Sequence, residues 1–200
     1  MLPKSTLFTI LVIVVTLSCN KESKLKVNEP QTEDLDSLML SLDTQEKKEQ
    51  FLIDLYDEDQ DVRNSDREHE ILKRNNYDMN SYEYQEHMDR MIYVDSINFI
   101  KAKKYLETHG YPTFKLDDYR ISGAIELICM HQPTYEKQLE LFPYLYQAYK
   151  DNLITADNFS FLLNNMHRHK FDKSHPHAIS NEENIKQLLE ILELGEFESQ

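Results

Sequence analysis

Apolar residues recur at intervals of three and four along most of this chain. Phe51, Leu52, Leu55, Tyr56 and Val62 make one such stripe, and Met88, Met91, Ile92, Phe99, Ala102, Tyr105 and Leu106 make a second. The sets Phe159, Leu162, Leu163, Met166 and Ile185, Leu188, Leu189, Leu192 repeat the pattern. This is the period of helices with one buried face. Only 3 glycines occur in 200 residues, too few for the many tight turns of a β fold. The expected class is all-α.

Punctuation divides the stripes. Asp43-Thr-Gln-Glu46 is close to a capping box and predicts a helix start, as does Asn80 with Glu83 three residues on. The second helix should stop at His109, before Gly110 and Pro112. A third covers about Ala124 to His131, and a fourth about Thr134 to Lys150. Pro143 lies inside the fourth, where an interior proline costs about 3 kcal/mol, so a kink or a break is expected. A fifth runs from Ala156 to His167, and a sixth opens on the capping box Ser180 to Glu183 and stops at Gly195. The charged segment up to Asn80, around Ile71 and Leu72, is a weaker candidate for further helix. No period of repeat-protein length recurs. Residues 43–200 therefore read as one helical domain, an irregular bundle of about six helices.

The N-terminus is different in kind. Lys4 is the one charge in residues 1–18, and Leu7 to Leu17 form an apolar run. A membrane span needs roughly 20 such residues, whereas this length suits a signal-peptide core. Leu17-Ser18-Cys19 then resembles a bacterial lipobox, which implies cleavage after residue 18 and acylation of Cys19, with palmitate among the expected chains. Acyl chains at about 0.8 kcal/mol per buried methylene would hold the protein to a membrane. Residues 19–42 are polar at first, carry Pro30, and read as a flexible tether, with Leu35, Leu38, Met39 and Leu42 able to add a turn or dock. The expected location is the cell envelope, on the periplasmic or surface face. The net charge is −14, one unit more negative once Lys4 leaves with the signal, and it repels phosphate backbones, so no nucleic-acid partner is expected.

The helical stripes break their own rule at a few places. Asp59 and Arg63 continue the line Phe51, Leu55 by fours, Asp95 takes the slot between Ile92 and Phe99, Asn98 follows one turn along, and His131 ends the face of Ala124, Leu127 and Ile128. A charge facing a core is costly unless paired. These residues are therefore expected to meet, with Arg63 forked onto Asp95 or Asp59 and with Gln60, Asn98 and His131 completing a network. Such a network either locks helices in register or forms a ligand pocket or active centre, with His131 the best candidate for a general base. No serine or cysteine motif accompanies the histidine, so hydrolysis would require an activated water. Cys129, in "AIELICM", reads as a small core residue.

The order Asp59-Gln60-x-x-Arg63, Asp95-Ser-Ile-Asn98, Gly110-Tyr-Pro112, Gly123 and His131 over residues 50–170 resembles an uncharacterised bacterial domain family, frequent in secreted proteins and lipoproteins. Its members show D-Q-x-x-R, D-x-x-N, G-x-P and Q-H in that order. The resemblance implies a helical domain and names no reaction. This chain departs from the pattern at Met130, where the family has Gln, and in "LLNNMHRHKFDKSHPHA", which replaces the family's Asp-Arg pair and Y-G-x-Q-like segment.

That replacement holds His167, His169, His175 and His177, imidazoles that suit Zn²⁺, Cu²⁺ or Ni²⁺. No cysteine or carboxylate lies at a zinc spacing, and residues two apart occupy different helix faces, so the segment reads first as a solvated loop with at most a weak metal site. Phe142, Tyr144, Tyr146 and Tyr149 read as core aromatics before a binding platform. The functional expectation is a lipid-anchored domain binding an envelope protein or small ligand, with no cofactor. A hydrolase using His131 with Asp59 and Asp95 is the alternative.

Overall fold

The structure, a computed structural model, describes residues 32–113, 118–176 and 179–195. Cys19, the expected signal and the first part of the stretch read as tether lie outside them, as does His177. Among the described residues there are eight helices and no strand: α1 (Thr32–Ser41), α2 (Gln45–Val62), α3 (Ser65–Arg74), α4 (Tyr82–His109), α5 (Tyr119–Met130), α6 (Tyr135–Lys150), α7 (Ala156–Phe171) and α8 (Asn181–Ile191). None is long and apolar enough to cross a membrane.

Side-chain oxygens fix where most helices begin. Thr44, Asn64, Ser81, Thr134, Thr155 and Ser180 each accept from the backbone N–H three residues on, and Asp118 accepts from Arg120. Each such cap is worth about 1 kcal/mol. The first start falls one residue later than Asp43 suggests, because Thr44 is the residue with extended backbone (φ −116°, ψ 161°). Asp43 instead pairs with Lys47.

The bundle contains two helices more than the stripes announce. α1 occupies the end of the stretch read as tether and packs on α4, burying Leu35, Met39 and Leu42. α3 has few apolar residues; its Asn64 cap, acidic first turn and basic last turn suit the helix dipole, and it buries Ile71. α6 stays one helix across Pro143, whose ring is exposed, so the expected break is absent.

α5 is the hub, packed on α2, α4, α6 and α7, while α8 packs on α7 and α3 on α4. Leu52, Leu55, Ala102, Ala124, Ile125, Ile128, Leu141, Phe142, Phe159, Leu163 and Leu188 are sealed in one core. Tyr149 stacks on Phe159 at 4.3 Å and Phe142 on Tyr146 at 5.6 Å, so these aromatics are packing groups. Cys129 is fully buried with its Sγ toward the Gln138 carbonyl at 3.7 Å, and burial pushes the thiol far above its ordinary value.

The N-terminal half of α4 corrects the sequence reading. Ile92 is 58% exposed and Met88 and Met91 are only half-buried, while Tyr84 and His87 take the inner positions. At 28 residues, or about 42 Å, α4 is the longest of the described helices, and its first turn reaches α3. Tyr84 there donates to Glu68 of α3 at 3.1 Å.

Candidate functional site

α2 packs along α5, and the polar breaks of the stripes converge at one end of their seam. Asp59 lies in the last turn of α2 and Arg63 is the residue that caps that helix. The guanidinium therefore reaches back one turn, and Nη1 donates to the Asp59 carbonyl at 3.2 Å and to its Oδ1 at 2.9 Å. Arginine at a helix C-terminus also favours the dipole. Nη2 spans to α4 and donates to both oxygens of Asp95, at 2.7 and 2.8 Å. One guanidinium thus bridges two carboxylates on two helices, through charge-assisted bonds of the stronger kind.

His131 caps the C-terminus of α5, and its Nδ1 lies 2.7 Å from Asp59 Oδ1. The second Asp59 oxygen accepts from Gln60 Nε2 at 2.9 Å. Asp59 is consequently saturated by three neighbours and is 1% exposed, while the side chains of Asp95, Arg63 and His131 keep 14%, 20% and 25% of their surface in solvent. The cluster is sealed at its base and open at its rim.

Asp59, Gln60, Arg63, Asp95 and His131 meet as their positions imply; Asn98 does not join them. Its Nδ2 donates weakly to the Leu55 carbonyl at 3.4 Å, and its buried Oδ1 has no partner among the described residues. The side chain fastens α4 to the backbone of α2 one turn before Asp59.

Two carboxylates face one guanidinium, so with a neutral imidazole the cluster keeps one uncompensated negative charge. At Asp95, burial outweighs the attraction of Arg63, and together with the nearby charge of Asp59 it lifts the carboxyl above its ordinary value. An added positive charge or hydrogen-bond donor is therefore favoured there. Asp59, Asp95 and His131 each place a ligand atom within 4.8 Å of the others, a geometry compatible with a cation. Arg63 already supplies positive charge to both carboxylates, so a metal would compete with its guanidinium.

Sequence reasoning missed a second group of buried polar residues. Glu126, the one charge inside "AIELICM", is 6% exposed and accepts from the Tyr111 hydroxyl at 3.1 Å. Gln138 is fully buried between the Cys129 carbonyl (3.3 Å) and Asn165 Oδ1 (2.5 Å). Glu126 interrupts an apolar run and Gln138 takes the slot between Tyr135 and Leu141 on the buried stripe of α6, the signal that exposed Asp95. In the histidine segment, His167 and His169 lie within α7, not in a loop, and His167 is buried.

No protein-family model, curated protein or solved structure matches this chain.

Proposed function

We propose that this chain is a lipid-anchored protein of the cell envelope, held to the membrane through acylated Cys19, whose helical domain binds a ligand or protein partner at the rim of the Asp59–Arg63–Asp95–His131 cluster. The observation that carries the binding reading is the graded burial just described: an ionic network serving only to register helices has no need of a solvent-facing edge. The uncompensated charge favours a partner group that is cationic or donates hydrogen bonds, since the Nη donors of Arg63 are engaged by Asp59 and Asp95. The family resemblance falls on these same residues.

The test is a titration of the full chain with argininamide, followed through the imidazole resonances of His131. The expected result is a saturable shift that Asp95→Asn weakens; an unmoved imidazole would refute the binding reading. The anchor is tested separately, by incorporation of labelled palmitate that Cys19→Ala abolishes.

A hydrolytic reading draws on a different observation. With its Nδ1 tied to a sealed carboxylate, His131 has its orientation fixed and its Nε2 left to take a proton from water. His131→Gln, which can still donate to Asp59, should then abolish turnover of a substrate while leaving folding intact. Equal turnover in the variant would dismiss this role.

A further inference from the structure

A histidine pair lines an open cavity of about 420 Å³ formed by α7, residues 173–176 and the end of α8. His167, Phe171, His175 and Ile191 are among its lining residues. The two imidazoles stand with centroids 5.3 Å apart and planes 71° to one another.

Their hydrogen bonds determine which nitrogens are available. His167 Nδ1 lies 2.9 Å from the Lys173 carbonyl, which can only accept, so this nitrogen carries the proton. His175 Nδ1 lies 3.2 Å from Asn184 Oδ1. Asn184 spends its amide on Ser160 Oγ at 2.7 Å and is itself 4% exposed, so its oxygen is held ready to accept from the ring. Both histidines are thereby fixed with Nδ1 protonated and an unprotonated lone pair on Nε2. An imidazole that donates one N–H to a protein oxygen and offers its other nitrogen is the arrangement found in metal-ligating histidines.

We infer that His167 and His175 form a two-imidazole site for a borderline divalent cation such as Zn²⁺, with its remaining positions open to the cavity. A tetrahedral ion at 2.0–2.1 Å from each nitrogen holds the pair about 3.3 Å apart, a separation that rings at this spacing can span. Imidazole nitrogens select Zn²⁺, Cu²⁺ or Ni²⁺ over Ca²⁺ or Mg²⁺, which take oxygen ligands. Phe171, whose ring centroid is 4.7 Å from that of His167, adds an apolar wall. His169, two residues from His167, is not among the lining residues. The site shares no residue with the cluster on α2, α4 and α5 and does not depend on it.

The experiment is calorimetric titration of the full chain in detergent micelles with Zn²⁺ alone. One ion per chain is expected, with affinity reduced more than about tenfold in His175→Ala and about tenfold in Asn184→Ala, which removes the orienting oxygen and the amide bond to Ser160 but no ligand of the ion. Circular dichroism of each variant confirms that the helices persist. Absence of binding, or binding that His175→Ala leaves unchanged, overturns the site. Because His167→Gln disturbs a buried position, ring ¹⁵N shifts of the metal-free wild-type chain supply a second measurement. Both rings should be protonated at Nδ1, and an Nε2-protonated ring at either position refutes the geometry.

Discussion

His131 Nδ1 and Asp59 Oδ1 are 2.7 Å apart, yet one residue keeps a quarter of its side chain in solvent and the other almost none. The pair joins the end of α5 to the last turn of α2 and turns a buried charge into an orienting contact for a reachable ring. Around it, the whole cluster depends on Arg63, which among the described residues is the cation that touches both carboxylates.

Arg63→Met should therefore be costly. It leaves Asp59 and Asp95 without their shared partner, and breaking a buried pair in this way costs about 3–5 kcal/mol. The triple variant Asp59→Asn, Arg63→Met, Asp95→Asn should lose less than Arg63→Met alone, because no unpaired charge remains. Urea denaturation of the two variants compares them directly, and a triple variant no more stable than the single would contradict the charge argument.

α1 supplies a contrast between neighbouring residues. Met39 is 1% exposed and Leu40 is 77% exposed. Met39→Ala should cost about 2–5 kcal/mol, as for other buried large-to-small changes. Leu40→Ala should stay within about 0.5 kcal/mol of wild type. Equal, negligible effects would mean that residues 32–41 swing free of the domain.

Gly110 ends α4 at φ +73° and ψ −173°, backbone that residues with a Cβ avoid. A Cβ built there meets nothing within 4 Å. Gly110→Ala should accordingly cost about 1–3 kcal/mol through backbone strain alone. Thermal denaturation measures it, and a variant as stable as wild type would show that the turn can relax.

Glu126 gives a pH dependence. Burial lifts its carboxyl above the ordinary 4.5, against the opposing hydrogen bonds from Tyr111 and Asn158. The folded chain thus holds this proton more tightly than the unfolded one, so the residue's contribution is complete below about 4.5 and lost as pH rises through the raised value. Glu126→Gln lacks this loss. The stability of the variant minus that of wild type should increase from pH 4 to pH 7; a constant difference in urea melts would remove the claim.

The helical class and most helix starts were legible because local chemistry sets them: Ser180 caps α8 as its pattern with Glu183 indicates. The convergence of Asp59, Arg63, Asp95 and His131 was legible for another reason, since a charge on an apolar face demands a partner. What escaped depends on tertiary context. Whether Ile92 is buried depends on what packs against that face of α4, and helical periodicity carries no information about the neighbours. Asn98 satisfies the same polarity rule as Asp95 but turns to a backbone carbonyl instead of the cluster. The pairing of His167 with His175 requires the chain to fold back after α7, where Asp172 adopts a left-handed conformation (φ 53°) that the residue pattern does not announce.

The seating of α1 has a mechanical consequence. It is fastened to α4 by its apolar face, by the ion pair of Asp36 with Lys104, and by the Met39 carbonyl to His109 Nε2 at 3.1 Å. A pull on the chain at residue 32 must shear these contacts before any force passes on to α2. The ionic cluster at the other end of α2 is thus shielded from traction on the N-terminal segment, as cargo is from a rope tied off to the frame.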